Sequence, residues 1–210
     1  MKTDRIDVDR TLLAFGAAGP LLFAISLVVL GAAVPGYDHA SNAISELGAK
    51  GSPVAAVMNS VFFMLGLSIA GFGAGLFRNV AKNHADKAGA VALVLSGAFT
   101  FLLGVFPCDV GCVNTTNTGL THNAINMMPV IFGIIAMFLF YAGIKGSEIG
   151  KYSLYLLLSA LLSVIFGYLY LTNSGALAGL LQRLAVFMPL AAMAAGSLIL
   201  LKEHGKIIKR

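Results

Sequence analysis

The sequence predicts an all-α membrane protein built as a bundle of six transmembrane helices. Three observations predict this fold. The 210 residues have a mean hydropathy of +0.88, and 58% of them are hydrophobic. Only 11% are charged, whereas an ordinary soluble domain carries roughly 25%, so there is too little polar side chain to coat a globule. Six apolar runs each reach the roughly 20 residues that a helix needs to cross a bilayer. The length fits a single membrane domain over residues 1–210.

The apolar runs are divided by short polar segments. The first run is too long for a signal-peptide apolar region and follows acidic as well as basic residues, which indicates a retained helix. Pro20, Pro129 and Pro189 lie within the runs and are expected to kink their helices. The six helices are expected near residues 11–34, 54–77, 88–107, 122–144, 152–172 and 180–201.

The basic residues orient the predicted bundle. Lys50 and Arg183 fall at one end, and the other twelve of the 14 lysines and arginines fall at the opposite end. By the positive-inside rule, the end rich in basic residues and both termini are cytoplasmic. The twelve are Lys2, Arg5, Arg10, Arg78, Lys82, Lys87, Lys145, Lys151, Lys202, Lys206, Lys209 and Arg210.

The net charge of +5 does not indicate nucleic-acid binding. Such binding needs a basic face on a soluble fold, and here the basic residues sit in short segments between apolar runs. Membrane topology and contact with anionic lipids explain them. The expected location is therefore the cell (plasma) membrane, as a multi-pass protein. The expected partners are membrane lipids and a second copy of the chain, and not nucleic acid.

The candidate functional residues collect in the extracytoplasmic loops. Loops on a rigid scaffold are where binding and chemistry usually reside, and the outer segments 35–53, 107–123 and 173–179 are rich in polar residues. Glu46, Asp109 and His122 are the candidate acid-base catalytic groups. Ser45 is also a nucleophile candidate, although no GxSxG motif supports it. The candidate ligand-binding residues are Asp38, His39, Asn42, Ser45, Asn126, Gln182 and Arg183.

Arg183 lies a few residues inside the last apolar run, where an arginine is costly unless it reaches water or finds a partner. Three interpretations stay open: interfacial snorkelling, a salt bridge to Glu46 or Asp109, and a clamp on an anionic headgroup. A planar guanidinium suits a carboxylate and a phosphate equally well.

His122 and Asn126 are four residues apart, so they are expected on one face of the fourth helix. Buried amides such as Asn59 and Asn126 often form interhelical hydrogen bonds in membrane bundles. No HExxH or CxxC spacing occurs, so neither a metal nor another cofactor is predicted.

Cys108 and Cys112 are four residues apart on the expected oxidising side, which favours a disulfide that closes a tight turn. Asn114-Thr115-Thr116 is a glycosylation sequon on the same side, so Asn114 is a glycosylation candidate.

Several segments together resemble a known family. They are NAISELG at residues 42–48, GSP at 51–53, FPCDVGC at 106–112, His122, and GLLQR at 179–183. The chain resembles the domain-of-unknown-function 998 membrane proteins of archaea and bacteria across nearly all six helices, which implies their six-helix fold. The ISELG segment followed by Pro53 is also similar to the ISDTG…P loop of the Frag1/DRAM/Sfk1 membrane proteins. Some of those are linked to lipid organisation, although this chain departs at the acidic residue and the next one.

Three functions stay open. The first is an outer-leaflet protein that binds or processes an amphiphilic, lipid-like ligand, with Arg183 on a phosphate or carboxylate. The second is a small-solute transporter or receptor, for which the six-helix size favours a dimer, although the helix centres carry almost no ionisable residues. The third is a non-catalytic structural or assembly subunit, in which the polar outer layer is a satisfied network.

Overall fold

The computed structural model describes residues 2–146, 149–173 and 175–207, and it places the side chains of 9–146, 149–173 and 175–202. These residues form helices and loops, with no strand among them, as predicted. Of the twelve basic residues that orient the predicted bundle, five have side chains outside the described part of the chain: Lys2, Arg5, Lys206, Lys209 and Arg210. The helices are α1 (Lys2–Ala33), α2 (Ala55–Asn79), α3 (His84–Val105), α4 (Asn117–Ile125), α5 (Met128–Ile144), α6 (Ser153–Thr172) and α7 (Ala178–Ile207).

Six stretches within the described residues are long and apolar enough to cross a membrane, which confirms the predicted architecture. The fourth stretch, Asn117–Ile144, differs from the single helix predicted near 122–144 because it consists of α4 followed by α5. It begins earlier because Thr116 caps it, its side chain accepting the Gly119 N–H at 3.2 Å. It breaks at residues 126–127 because Pro129 has no N–H to donate to the carbonyl of Ile125. The predicted kink at Pro129 is therefore a two-residue gap in the helical hydrogen bonding, across which Asn126 and Met127 keep right-handed helical dihedrals.

Capping also moves the start of α3. Asn83 accepts the backbone N–H of Asp86 at 2.9 Å, so the helix begins at His84, before the predicted residue 88. Helices α1 and α7 extend past their apolar runs, to Lys2 and Ile207 respectively. Pro20 and Pro189 lie inside these two helices, which continue through them.

The helices form a closed ring. Packing runs from α1 to α2, α3, α5, α6 and α7 in turn, and α7 returns to α1. Serine hydroxyls join four of these neighbouring pairs by donating to a carbonyl on the next helix. The four bonds are Ser68 to Phe15 O at 2.5 Å, Ser96 to Pro129 O at 2.8 Å, Ser163 to Ala185 O at 2.7 Å and Ser197 to Leu13 O at 2.6 Å.

The ring has two distinct ends. At the first, called the basic end, Asn83 Nδ2 donates to Gly143 O at 3.1 Å and Arg78 Nε lies 3.1 Å from Asp9 Oδ1. At the second, called the polar end, the segments 34–54, 106–116 and 173–177 connect the helices. The sequence-predicted site residues lie at or near the polar end.

Candidate functional site

Hydrogen bonds join the first two connecting segments of the polar end and the start of α7 into one layer. The first segment contains a 3-10 turn, Ile44–Gly48. Lys50 N donates to Cys108 O at 3.0 Å, and Leu180 N donates to Ala40 O at 2.8 Å. Ile44 N donates to the Gln182 side-chain oxygen at 2.7 Å. Residues far apart in sequence therefore meet in one fixed arrangement.

Arg183 is 9% exposed and binds groups of the protein itself. Its Nη1 donates to Asn42 O and to Gly179 O, each at 2.8 Å, and its Nη2 donates to the Tyr37 hydroxyl. The guanidinium also lies over the Tyr37 ring, 5.7 Å from the centroid. The hypothesis of a salt bridge to Glu46 or Asp109 is wrong, because the carbonyl dipoles and the tyrosine take the guanidinium. These bonds engage both terminal nitrogens, while the buried Nε has no hydrogen-bond partner among the described residues.

Asp109 pairs with the other cation of this end. Lys50 Nζ lies 2.7 Å from Asp109 Oδ1, and the Thr116 hydroxyl donates to the same oxygen at 2.7 Å. Asp109 Oδ2 accepts the backbone N–H groups of Thr115 and Thr116 at 2.9 and 2.8 Å. The Lys50 hydrogen bond, followed by those of Thr116 and Thr115, holds the pKa of Asp109 well below its usual range. The carboxylate thus fixes the turn that starts α4.

Cys108 and Cys112 form the predicted disulfide, with their Cα atoms 5.0 Å apart. The bond closes a turn in which Gly111 and Cys112 both adopt positive φ, at 62° and 54°. The glycosylation candidate Asn114 lies beside this turn, half-buried, and its side-chain oxygen accepts Asp109 N–H at 3.3 Å. Its modification stays a prediction.

Glu46 stabilises the first connecting segment through hydrogen bonds to residues of the same segment. Its Oε2 accepts Asn42 Nδ2 and its Oε1 accepts Ala43 N, both at 2.7 Å. Because Arg183 binds the carbonyl of Asn42 at 2.8 Å, one residue links the anionic and cationic groups.

Asp38 and His39 lie in the turn before this point. The Asp38 carboxylate accepts Ala40 N at 3.0 Å and the Ser41 hydroxyl at 3.1 Å, and these bonds lower the pKa of Asp38. Burial, followed by the charge of Arg183, lowers the pKa of His39 below 6.5, so the ring is neutral at pH 7. The His39 ring meets the Tyr37 ring edge-on, with centroids 5.2 Å apart. Both residues support the turn.

A polar cavity of about 550 Å³ opens among the 3-10 turn, the α4–α5 break and the end of α6. This cavity, called the vestibule, lies in the size range of ordinary ligand sites. The side-chain amides of Asn123 and Asn126 have no hydrogen-bond partner among the described residues. The polar lining of the vestibule consists of Ser41, Glu46, Asn123, Asn126, Tyr170 and Asn173.

A second cavity, the upper chamber, lies inside the ring and holds about 90 Å³. Its walls are mostly apolar, with Phe62, Leu65 and Val186 among them. Asn126 lines both the upper chamber and the vestibule. The break before α5 thus places a free amide at the boundary between a polar space and an apolar one. The chamber's polar lining consists of Ser45, Ser96, Thr100, His122, Asn126 and Gln182.

His122 is 3% exposed and lines the upper chamber. Its Nδ1 lies 2.8 Å from Phe106 O. Since a carbonyl only accepts, Nδ1 carries the proton in this bond, and Nε2 is the acceptor of the neutral ring. Ser96, Thr100 and Gln182 already form hydrogen bonds within the protein. Of these five side chains, His122 and Asn126 are the two that keep polar atoms without a hydrogen-bond partner among the described residues.

A third cavity, the lower chamber, continues toward the basic end and holds about 110 Å³. Its lining is apolar apart from Tyr152 and Tyr155. The upper and lower chambers share four wall residues: Leu93, Gly133, Pro189 and Met193. The two chambers are therefore neighbours inside the ring.

The structure divides the predicted site residues into groups. Glu46 and Asn126 line the vestibule, and Ser45, His122, Asn126 and Gln182 line the upper chamber. Asp109, Asp38, His39 and Arg183 line none of these three cavities.

Asn126 does not act as an interhelical link among the described residues, whereas Asn59 donates to Gly48 O at 3.0 Å. Among the described residues, no three His, Cys, Asp or Glu side chains group as metal ligands.

Sequence reasoning missed Tyr37, Lys50, Thr116 and Tyr170 as parts of this end. Tyr37 and Tyr170 carry the hydroxyls that meet Arg183 and Gln182. A usable signal existed, because tyrosines concentrate where a membrane helix meets water. Lys50 had no such signal, since its partner Asp109 is 59 residues away along the chain, whereas Thr116 lies only seven residues after Asp109.

The six apolar spans and the closed ring define a polytopic helical membrane protein. Residues 17–199 match the family described as Protein of unknown function (DUF998), so the chain belongs to that family. The match confirms the resemblance drawn from the loop segments. No curated protein and no solved structure matches the chain.

Proposed function

We propose that this protein binds an amphiphilic, lipid-like molecule inside its helix ring. The polar part occupies the vestibule and the apolar part occupies the upper and lower chambers. The observation that carries this proposal is the shared boundary at Asn126, which lines both the polar vestibule and the apolar upper chamber. A ligand with one polar and one apolar end would fit a polar cavity that adjoins an apolar one.

The chambers suit a hydrocarbon group better than a hydrophilic solute. Apolar cavities of on the order of 150 Å³ stay dry and accept small hydrocarbons. The two chambers, of about 90 and 110 Å³, are of this kind and adjoin each other. A polar solute crossing them would lose its hydration with few groups to replace it. This favours a lipid-like ligand over a small-solute transport function.

The positions of the three candidate acid-base groups favour a binding function over a catalytic one. Asp109 is held by Lys50 and by the turn before α4, away from the vestibule lining. Glu46 lines the vestibule and His122 lines the upper chamber, so these two groups lie in different cavities. Joint catalysis needs groups within reach of one reacting atom.

The charge asymmetry supports an outward orientation for the vestibule. Most lysines and arginines belong to the basic end, which the positive-inside rule assigns to the cytoplasm. The ligand would then enter from the outer leaflet of the cell membrane.

The proposal is tested by filling the upper chamber. Val186→Trp places a large side chain in the chamber wall, and Val164→Trp makes the same change at a position of α6 that is 45% exposed. Lipid that co-purifies in mild detergent is quantified by mass spectrometry. We expect Val186→Trp to lower the retained lipid about tenfold and Val164→Trp to leave it unchanged. Equal retention by wild type and both folded variants would overturn the proposal.

A further inference from the structure

The vestibule's own chemistry specifies the kind of headgroup, and this inference rests on the proposed function. None of the described residues that line the vestibule is a lysine or an arginine. The nearby Arg183 is occupied by Asn42 O, Gly179 O and Tyr37. An anionic headgroup would therefore meet Glu46 without a free cation to compensate, which is a like-charge contact.

A cationic headgroup is disfavoured for a related reason. Glu46 is the one carboxylate among the described residues that line the vestibule. Both of its oxygens already accept hydrogen bonds, from Asn42 Nδ2 and Ala43 N at 2.7 Å each. A quaternary ammonium group has no N–H to donate, so it would leave the acceptor oxygens of the vestibule's free amides without partners.

The remaining vestibule groups are neutral and can both donate and accept. Asn123 and Asn126 have side-chain amides without partners among the described residues. Each amide offers two donor hydrogens and one acceptor oxygen. The Tyr170 hydroxyl accepts a long bond of 3.4 Å from Gln182 and keeps its own hydrogen to donate. Groups of this kind pair well with hydroxyls, which also donate and accept.

We infer that the vestibule selects a neutral, hydroxyl-rich headgroup, such as the sugar of a glycolipid, rather than a phosphate or an ammonium group. The inference concerns the headgroup alone, so it can fail while chain binding in the chambers stands. Asn123 and Asn126 would contact the hydroxyl groups, and Asn126 would lie where the headgroup joins the apolar chain.

The test compares three amphiphiles that share one dibrominated dodecyl chain and carry a glucoside, a phosphate or a trimethylammonium headgroup. The chain contains no tryptophan, so Phe62→Trp places a single fluorescent reporter in the upper-chamber wall. Bromine on a bound chain quenches that fluorescence. We expect the glucoside to quench at about tenfold lower concentration than either charged amphiphile. We also expect free glucose not to displace it, as a glycolipid site requires.

Three alanine variants on the reporter background identify the groups responsible. Asn123→Ala and Asn126→Ala should each raise the glucoside concentration needed by about tenfold, because each removes an amide from the vestibule. Asn117→Ala is the matched control, an exposed asparagine of α4 outside the vestibule lining, and should have no effect.

The outcomes separate the two proposals. Equal quenching by all three amphiphiles, or preference for a charged one, overturns the headgroup inference and leaves chain binding intact. Quenching by none of them contradicts both. Displacement by free glucose would indicate a soluble sugar as the ligand and would overturn the glycolipid assignment.

Discussion

Both cations of the polar end bind groups of the protein itself. Lys50 holds Asp109, and Arg183 holds the carbonyls of Asn42 and Gly179. The sequence shows that an arginine inside an apolar run needs partners. It does not show which partners, since Asn42 lies 141 residues away along the chain. This assignment changes the functional hypothesis, because an arginine bound to its own backbone is not a free phosphate clamp.

The depressed pKa of Asp109 leads to a prediction for the acid dependence of stability. A carboxylate whose pKa is lower in the folded state stabilises that state above its unfolded pKa of about 3.9. The contribution is lost as pH falls through the folded value. We expect wild type to melt higher than Asp109→Asn at pH 7, and the difference to shrink steadily as the pH falls below about 4. Thermal unfolding in detergent across this pH range measures it.

Asp38→Asn provides the comparison for this experiment. Asp38 has hydrogen bonds to Ala40 and Ser41 in its own turn but lacks the Lys50 bond, which is the foremost cause of the shift in Asp109. Its effect at pH 7 should be smaller. A pH-independent difference between wild type and Asp109→Asn would show that the charge of Asp109 does not contribute.

Helix pairs in this bundle approach most closely where glycines face each other. Gly66 of α2 and Gly97 of α3 lie against each other's backbone. A Cβ added at Gly97 would lie 2.5 Å from both Gly66 O and Ala70 N. Because these are backbone atoms, the two helices would have to separate. The sequence predicted a kink at Pro129 but not the interruption between α4 and α5.

Gly97→Ala is therefore expected to destabilise the bundle. Overpacking against backbone typically costs about 1–3 kcal/mol, which outweighs the roughly 1 kcal/mol that alanine gains over glycine in a helix. Gly167→Ala in α6 is the matched control, since its nearest neighbour would be the Ala185 Cβ at 4.0 Å. Thermal unfolding followed by circular dichroism should show a lower Tm for Gly97→Ala and an unchanged or higher Tm for Gly167→Ala. A Tm of Gly97→Ala equal to that of wild type would contradict close α2–α3 packing.

At the scale of the whole molecule, the closed ring brings three cavities together that no single helix contains. The vestibule is built from the first and third connecting segments, the α4–α5 break and the adjoining ends of α4, α6 and α7, and the chambers are lined by up to six helices. The function proposed for them depends on which end faces outward. That orientation follows from the charge asymmetry alone and is open to a direct test.

Single cysteines distinguish the two ends. Asn173→Cys lies at the exposed edge of the vestibule and Lys82→Cys lies exposed at the basic end. The native cysteines are joined in a disulfide and leave no background thiol among the described residues. A membrane-impermeant maleimide should label Asn173→Cys in intact cells and Lys82→Cys only after permeabilisation. The reverse pattern would place the vestibule in the cytoplasm and overturn the outer-leaflet proposal.

The sequence by itself determined the six spans, their approximate limits, the family and the disulfide, because each depends on composition or on neighbours along the chain. It also placed polar residues at one end of the bundle. Only the tertiary structure decided which of those residues pair with one another and which line a cavity. Arg183 pairs with backbone carbonyls, Asp109 pairs with Lys50, and Asn126 is left free between a polar and an apolar cavity. These outcomes depend on contacts between distant segments, because burial makes Arg183 and Asp109 take the partners that the fold brings within reach, whereas it brings none to the Asn126 amide.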